Sequence, residues 1–235
     1  MTTPIFFYDV VFTAGTLVPL VEDTAKHIVQ VLRMKEGDAL RLANGKGAEV
    51  KATIASTGKK ACTIKVDEVI QHPATASTKA IAISTLKNHS RLEWFLEKAT
   101  ELGINEIILL NCTRTERTQY KEERWRNILI AAMLQSQQFC LPTLTEPISL
   151  QALFSKEKYT HSYIAHCEED DTKLPLSGFE RAQLGNAIVL IGPEGDFTLQ
   201  EIEECKAQGF VAVSLGTTRL RTETAGLYAA FCLLK

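Results

Sequence analysis

Two short loops in the last quarter of the chain each follow an apolar run and precede the start of a helix. Residues 192–195 (GPEG) follow the run AIVLI, and residues 215–219 (LGTTR) follow VAVS. Repeated strand–loop–helix units are typical of an α/β sheet, which binds ligands at the carboxyl ends of its strands, beside helix N-termini. Neither loop has the spacing of a common phosphate-binding loop, G-x-x-x-x-G-K-[ST] or G-x-G-x-x-G. A Gly-Pro dipeptide alone is typical of a plain turn, so the pair of loops carries the prediction of a ligand site.

The first third of the chain is predicted to be a small β-domain. Short apolar or alternating runs separated by glycine turns are typical of a small barrel. One helix is predicted over 23–31, with Asp23 or Thr24 as its cap. The polar stretch QHPATAS (71–77) marks the boundary between domains 1–72 and 73–235. The predicted strands are 39–43, 49–55 and 61–69.

The second part alternates strands with helices, which predicts a mostly parallel sheet covered on both faces. Ser90 with Glu93, and Thr198 with Glu201, have the spacing of a capping box at a helix start. The predicted strands are 80–86, 106–111, 159–166, 187–191 and 211–215, and the predicted helices are 91–102, 122–138, 198–209 and 223–233.

Composition indicates an ordinary globular protein, with 45% hydrophobic and 23% charged residues. The N-terminus has no signal-peptide pattern, and no apolar run approaches the roughly 20 residues of a membrane span. Six scattered cysteines without a C-x-x-C pair predict reduced, mostly buried thiols in a cytoplasmic protein, rather than a metal site or a disulfide framework. A net charge of −2 argues against wholesale polyanion binding, so RNA contact would need a local basic face.

Several ordered motifs resemble one family of RNA-modifying enzymes. GPEGDF followed by LGTTRLRTETA is similar to the C-terminal signature of the SPOUT methyltransferases, and specifically of the RsmE-type ribosomal RNA (uracil-N3) methyltransferases. The segments KNHSRLEWFLEKATELG (87–103) and HIVQVLR (27–33) extend the resemblance over nearly the whole chain. Ordered motifs along one chain are more specific than any one of them.

The resemblance implies a fold, a reaction and partners. The expected fold is a PUA-like β-barrel that binds RNA, followed by a SPOUT α/β domain with a parallel sheet and a C-terminal trefoil knot through which the protein forms a homodimer. The expected reaction is methylation, by S-adenosylmethionine and without a metal, of N3 of a specific uridine in the decoding region of 16S ribosomal RNA. The expected partner is ribosomal RNA or the small ribosomal subunit.

A site for S-adenosylmethionine needs backbone groups near the adenine edge, apolar walls and little steric bulk. By resemblance, three loops hold the cofactor: the loop after strand 159–166, the GPEG loop and the loop 215–225. The predicted cofactor residues are Ala165, Ile191, Gly192, Pro193, Gly195, Leu215, Gly216, Leu220, Arg221, Thr222, Thr224 and Ala225.

Methylation at N3 requires removal of a proton and stabilisation of the charge that develops on the flanking carbonyl oxygens. The predicted catalytic residues are Arg221, Glu194 and Glu223. Alternatively, Arg221 forms a structural ion pair with Glu194 or Glu223, and Glu194 accepts a hydrogen bond from a loop amide at a helix start. Thr222 and Thr224 are favoured as helix-cap residues over catalysts.

Basic side chains suited to phosphate contacts orient RNA without reading its sequence. Some of these side chains lie among acidic residues, so the alternative is a solvated charged face. His27 is expected to pack or cap within its own domain. The predicted RNA-binding residues are Arg33, Lys35, Lys87, Arg114, Arg117 and Arg219.

The chain departs from the family pattern at two places. Leu134 and Gln138 replace a glutamate and an arginine that often flank a glutamine in the family, and 87–91 reads KNHSR where Lys-Gly-Asp usually precedes the arginine. Two other interpretations stay open: a non-catalytic RNA-binding module with the same fold, and a nucleotide-binding enzyme of another α/β family. The second would need a phosphate loop, a catalytic triad or a metal cluster, and the sequence has none of these patterns.

Overall fold

The structure is a computed structural model that describes residues 3–58, 61–73, 75–116, 119–156, 159–179 and 185–234. The chain forms two compact units. The first contains Met1–Ala74 and Met133–Leu141, and the second contains Thr75–Ala132 and Pro142–Lys235.

The first unit is built on a five-stranded sheet with the strand order β1-β3-β4-β5-β2. Register shifts between β4 and β5, after Lys51 and after Ile54, mark bulges, which bend a strand and increase its twist. The predicted small barrel is therefore confirmed only as a curled sheet, with β1 and β2 as its edges. The strands are β1 (Ile5–Phe7), β2 (Leu17–Leu20), β3 (Ala39–Ala43), β4 (Ala48–Thr57) and β5 (Cys62–Gln71).

The predicted helix of this unit is a short α-helix, α1 (Glu22–Lys26), continued by a π-helical turn, His27–Val31. The N-cap is Val21, which makes no side-chain cap bond. The prediction of Asp23 or Thr24 as the cap is therefore wrong, because both lie inside the helix. His27 packs its ring edge-on against Phe6, 5.7 Å between centroids, which confirms a packing role within its own unit.

The elements from residue 79 onwards alternate as predicted, with four short additions, one of which is a 3-10 helical turn, Leu176–Gly178. They are β6 (Lys79–Ser84), α2 (His89–Leu102), β7 (Glu106–Leu110), α3 (Glu122–Gln135), β8 (Thr143–Leu144), α4 (Leu150–Phe154), β9 (His161–Ala165), β10 (Leu174–Pro175), β11 (Ala187–Ile191), α5 (Leu199–Ala207), β12 (Val211–Ser214) and α6 (Thr222–Leu234). The elements β8, α4 and β10 have two to five residues each, too few for a periodic pattern.

Seven parallel strands form the second unit's sheet, in the order β10-β12-β9-β11-β6-β7-β8. The predicted parallel sheet is confirmed. Strands β6 and β11 are buried along their whole length, as expected for strands covered on both faces. Because β9 lies between β12 and β11, the carboxyl ends of these three strands are adjacent at one edge of the sheet.

The helix starts of this unit include one confirmed and one corrected prediction. Thr198 and Glu201 form the reciprocal capping box of α5. The N-cap of α2 is Asn88, whose side chain accepts a hydrogen bond from the Ser90 amide at 3.0 Å. The predicted Ser90–Glu93 box is therefore wrong, because the cap lies two residues earlier. Among the described helices, none is long and apolar enough to cross a membrane.

Candidate cofactor and substrate site

A cavity of about 660 Å³ lies at the carboxyl ends of β9, β11 and β12, within the second unit. Its walls come from the three loops that follow these strands and from the first turns of α2 and α6. The volume is within the range of about 300–1,000 Å³ that is typical of small-molecule sites. The topology explains the position, because a parallel sheet gathers the loops that follow neighbouring strands at one edge.

Most of the predicted cofactor residues line this cavity. The exceptions are Gly195 and Thr224. A Cβ atom at Gly195 would meet the aliphatic part of Arg114 at 3.4 Å, so this glycine packs on Arg114 rather than facing the cavity. Thr224 is exposed on α6 and is not part of the lining. The lining residues are Ala165, Ile191, Gly192, Pro193, Leu215, Gly216, Leu220, Arg221, Thr222 and Ala225.

The inner wall of the cavity is apolar and carries short side chains. Ile191 and Val213 are buried at the strand ends, and Ala225 closes the wall from α6. Gly216 has φ = +126° with open space around its Cβ direction, a conformation that only glycine adopts without strain. The Ser214 hydroxyl accepts a hydrogen bond from the Gly216 amide at 3.2 Å and so braces this turn.

The GPEG loop is held by contacts that the sequence pattern did not reveal. Arg114 donates a hydrogen bond from Nη1 to the carbonyl oxygen of Gly195 at 2.7 Å. Asp196, at φ = +63°, accepts hydrogen bonds from the amides of Cys167 at 2.7 Å and Phe197 at 2.8 Å. Its carboxylate thus joins the GPEG loop to the loop after β9. A Cβ at Gly192 would meet the buried ring of Phe197 at 3.0 Å, so close packing favours glycine there.

The loop after β9 contributes a buried imidazole to the cavity wall. Lys173 donates a hydrogen bond from Nζ to the carbonyl oxygen of His166 at 2.9 Å. Neither ring nitrogen of His166 has a hydrogen-bond partner in the described part of the chain. Burial, and then the positive charge of Lys173, lower the pKa of His166, which favours the neutral ring. His166, Lys173 and Asp196 line the cavity, but none was among the predicted site residues.

The predicted catalytic residues line the same cavity but differ in burial. Glu223, in the first turn of α6, is buried, whereas Glu194 and Arg221 are exposed. The nearest cation to the Glu223 carboxylate is Arg91, with 3.8 Å between Nε and Oε1. Within the described ranges, Arg221 forms no ion pair and Glu194 accepts no hydrogen bond. The structure therefore does not show the alternatives of an Arg221 ion pair or a Glu194 loop bond.

The predicted RNA-binding residues are distributed over both units. Arg33 and Lys35 are exposed in the first unit. In the second unit, Lys87 forms a 2.9 Å ion pair with Glu116, and their hydrogen bond raises the pKa of Lys87. Arg219 is exposed and lines the cavity. Arg117 lies outside the described residues.

The departures from the family pattern have structural roles. Leu134 packs against the small cluster of Ala43, Met133 and Phe139, and the Gln138 amide donates to the Ser136 hydroxyl at 2.9 Å. Asn88 caps α2. No group of three His, Cys, Asp or Glu side chains that could hold a metal ion occurs in the ranges that the structure describes.

Comparison with known proteins places these features in one family. The family model described as an RNA methyltransferase domain matches residues 73–234, and one described as an RNA methyltransferase PUA domain matches 21–67. The ribosomal RNA small subunit methyltransferase E of Rickettsia conorii is 32% identical over 90% of this chain and 87% of its own length. The crystal structure of a candidate rRNA methyltransferase from Porphyromonas gingivalis is 35% identical, covers 98% of both chains and has a TM-score of 0.89.

A further relative was solved with a ligand. The ribosomal RNA small subunit methyltransferase E of Neisseria gonorrhoeae, bound to S-adenosylmethionine, is 26% identical, covers 99% of this chain and 97% of its own, and has a TM-score of 0.84. The fold, the loop cavity and the matching domain models define the class of this protein, an RNA methyltransferase with a PUA domain. Within that class, the chain belongs to the ribosomal RNA small subunit methyltransferase E family.

Proposed function

We propose that this protein transfers a methyl group from S-adenosylmethionine to N3 of one uridine in the decoding region of 16S ribosomal RNA. The observation that carries the proposal is the cavity at the ends of β9, β11 and β12, which ten of the twelve predicted cofactor residues line. The relatives named as small-subunit rRNA methyltransferases, one of them bound to S-adenosylmethionine, support the substrate and the cofactor.

The residues around the cavity fit S-adenosylmethionine. The apolar wall of Ile191, Val213 and Ala225 suits an adenine ring, and the turn at Gly216 exposes backbone groups that can hydrogen-bond its edge. S-adenosylmethionine supplies an electrophilic methyl group when it is bound, so the reaction needs no metal. The residues named above bind and orient this donor beside the charged side chains at the mouth of the cavity.

Of the two candidate carboxylates, Glu223 is the better proton acceptor. Its side chain is only 10% exposed and lines the cavity, whereas Glu194 lies in open solvent, where a carboxylate interacts weakly with a bound base. In the proposed step, N3 forms a bond to the methyl carbon, its proton passes to Glu223, and the electron pair of the broken C–S bond stays on sulfur. Arg221 donates to a carbonyl oxygen of uracil, where negative charge develops.

RNA reaches the site through contacts with its backbone. Arg219 lies at the cavity and carries no ion pair in the described chain, so it is available to a phosphate beside the target nucleotide. Arg33 and Lys35 offer further phosphate contacts from the first unit, and Lys87 offers one from the second unit. The RNA-binding role of Arg117 stays a prediction. Uracil N3 lies on the Watson–Crick edge, so the base must enter unpaired or flipped out.

Dimerisation and the trefoil knot of the family are part of the proposal. Strands β11 and β12 lie on opposite sides of β9, so the chain that follows β11 crosses over β9, and we place the knot there. Helices α2 and α6 pack closely, since a Cβ at Gly226 would meet the Phe95 ring at 2.8 Å. Their outer faces expose large apolar side chains, which a second copy of the chain would bury. These are Trp94, Leu102, Tyr228 and Phe231.

The experiment that tests the proposal is mass spectrometry of small-subunit rRNA from cells that lack this protein. We expect the loss of one N3-methylated uridine, restored by the wild-type gene and not by an Arg221→Ala variant. A methylation pattern identical to that of the parent strain contradicts the proposal. If the purified protein also fails to bind S-adenosylmethionine by calorimetry, the non-catalytic RNA-binding module is the correct interpretation. The cytoplasmic location stays a prediction.

A further inference from the structure

Arg91 is a cavity residue for which the methyl-transfer proposal above has no role. It lies in the first turn of α2, and its side chain is 38% exposed at the cavity wall. The 3.8 Å between its Nε and Oε1 of Glu223 is within ion-pair range but longer than the 2.7–3.2 Å typical of an N–H···O hydrogen bond. Arg91 therefore lies near the carboxylate of Glu223 without forming a hydrogen bond to it.

The donors of Arg91 are available to a ligand. A guanidinium has five N–H donors, and none from Arg91 makes a hydrogen bond to any residue that the structure describes. Glu223 likewise accepts no hydrogen bond from those residues, although it is buried. A buried carboxylate normally has hydrogen-bond partners, so Glu223, like Arg91, can bind a ligand group that enters the cavity.

Two other charged side chains of the cavity, by contrast, already have hydrogen-bond partners. Lys173 donates to the backbone carbonyl of His166, and Asp196 accepts from the amides of Cys167 and Phe197. These two side chains hold loops in place. Arg91, Glu194, Arg219, Arg221 and Glu223 are the charged groups of the cavity that keep hydrogen-bonding capacity in the described chain. Of these, Arg91 and Glu223 lie beside each other where α2 and α6 meet the cavity.

The donors and acceptors of Arg91, Glu223 and Arg221 match one base. Uracil presents O4, N3–H and O2 along its Watson–Crick edge, which is acceptor, donor, acceptor. A carboxylate with a guanidinium on either side is the complementary set of acceptor and donors. Cytosine presents an amino group, a bare N3 and O2, so its amino group would face a guanidinium and its N3 lone pair would face a carboxylate.

We propose that Arg91 is a specificity-determining residue, which together with Glu223 and Arg221 selects uracil over cytosine. Arg91 donates to one carbonyl oxygen of the base, Arg221 donates to the other, and Glu223 accepts from N3–H. This assignment rests on the proposed uridine methylation and names the groups that read the base.

The test replaces single atoms in the RNA and single side chains in the protein. The probe is an unmethylated rRNA fragment that contains the uridine identified as the target by mass spectrometry, or the same fragment with 2-thiouridine or 4-thiouridine at that position. Sulfur is a weak hydrogen-bond acceptor, so each thio-substitution removes one base contact. Affinities are measured with S-adenosylhomocysteine bound, so that no turnover occurs.

One thio-substitution should weaken binding to the wild-type protein by about tenfold and should have no effect on the Arg91→Ala variant. The other thio-substitution should also weaken binding to the wild-type protein, and should have no effect on the Arg221→Ala variant. Arg91→Lys, which keeps the charge but not the planar fork, serves as the conservative variant and should lose most of the discrimination. An unchanged thermal midpoint shows that each variant is folded.

Two results would overturn the assignment. One is that both thio-substitutions still weaken RNA binding to the Arg91→Ala variant. The other is that the wild-type protein binds a fragment with cytidine at the target as tightly as the uridine fragment. Failure of the proposed function is distinguishable, because the protein would then methylate no uridine of the parent rRNA.

Discussion

Arg114 donates a 2.7 Å hydrogen bond to the carbonyl oxygen of Gly195, 81 residues further along the chain. The sequence pattern suggested an RNA contact for Arg114 and a cofactor contact for Gly195. In the structure the two residues contact each other, so the loop that lines the cavity depends on a side chain at the end of a different strand.

Replacing Arg114 should therefore affect cofactor binding. Arg114→Ala removes a charged donor from the GPEG loop, a loss of about 1 kcal/mol for a partly exposed bond, which corresponds to about a fivefold weaker affinity for S-adenosylhomocysteine. Calorimetric titration with S-adenosylhomocysteine measures this loss of affinity. Arg114→Lys keeps the charge for RNA and one charged donor, so it should retain RNA affinity and recover part of the lost cofactor affinity. A loss of RNA affinity alone in Arg114→Ala would assign this residue to RNA.

Arg221 should matter for the reaction and not for the fold. Because it is exposed and has no partner in the described residues, Arg221→Ala should leave the thermal midpoint unchanged. Single-turnover methyl transfer should fall by about 10²–10³-fold, the usual cost of removing a donor to a developing oxyanion. Near-normal turnover would remove Arg221 from the mechanism.

Two exposed cysteines allow the cofactor site to be mapped without measuring activity. Cys167 lines the cavity, whereas Cys140 is exposed in the first unit. Burial, and then Asp196, raise the pKa of the Cys167 thiol, so its alkylation should accelerate above neutral pH. Saturating S-adenosylhomocysteine should slow alkylation at Cys167 and leave Cys140 unchanged, as followed by peptide mass spectrometry.

The buried cysteines are the internal control for that experiment. Burial raises the pKa of Cys112 and of Cys205 to about 12, so both should stay unlabelled in the native protein. Equal rates at Cys167 with and without the cofactor product would place the cofactor elsewhere.

The apolar face of α2 and α6 should control the oligomeric state. Trp94 is 42% exposed, and Trp94→Glu places a charge where a second copy would bury the ring. Light scattering should show a dimer for the wild type and a monomer for this variant. Leu199→Glu is the matched control, because Leu199 is 66% exposed on α5. A monomeric wild-type protein would contradict the dimer proposal.

Glu201 should contribute stability that depends on pH. It is buried and accepts hydrogen bonds from the Thr113 amide at 2.7 Å and the Thr198 amide at 2.8 Å. Burial opposes ionisation, but these hydrogen bonds prevail and lower the pKa of Glu201. The stabilisation is therefore complete above the unfolded value of about 4.3 and is lost as the pH falls through the lower native value.

Glu201→Gln should cost about 1–2 kcal/mol at pH 7, measured by urea unfolding. The difference from the wild type should shrink below about pH 4. A difference that is constant with pH would show that packing, rather than the charge, accounts for the loss.

The succession of strands and helices along the chain, and the loops that line the cavity, could be predicted from local pattern. Strands 39–43 and 187–191 were predicted with the bounds that the structure has, because continuous or alternating apolar runs report burial directly. The Thr198–Glu201 cap was predicted because its two members lie within one turn. The Ser90–Glu93 cap was wrong because the helix begins at His89, so Ser90 lies inside it and Asn88 is the cap.

The sequence by itself determined which segments form strands and that two small loops each follow an apolar strand, since periodicity and turn residues act over a few positions. The tertiary structure alone decided that Arg91 lies beside Glu223, that Arg114 holds Gly195, and that Asp196 ties two loops together. Each of these contacts joins residues far apart in the chain. Their partners are chosen by strand order and register, which local pattern does not encode.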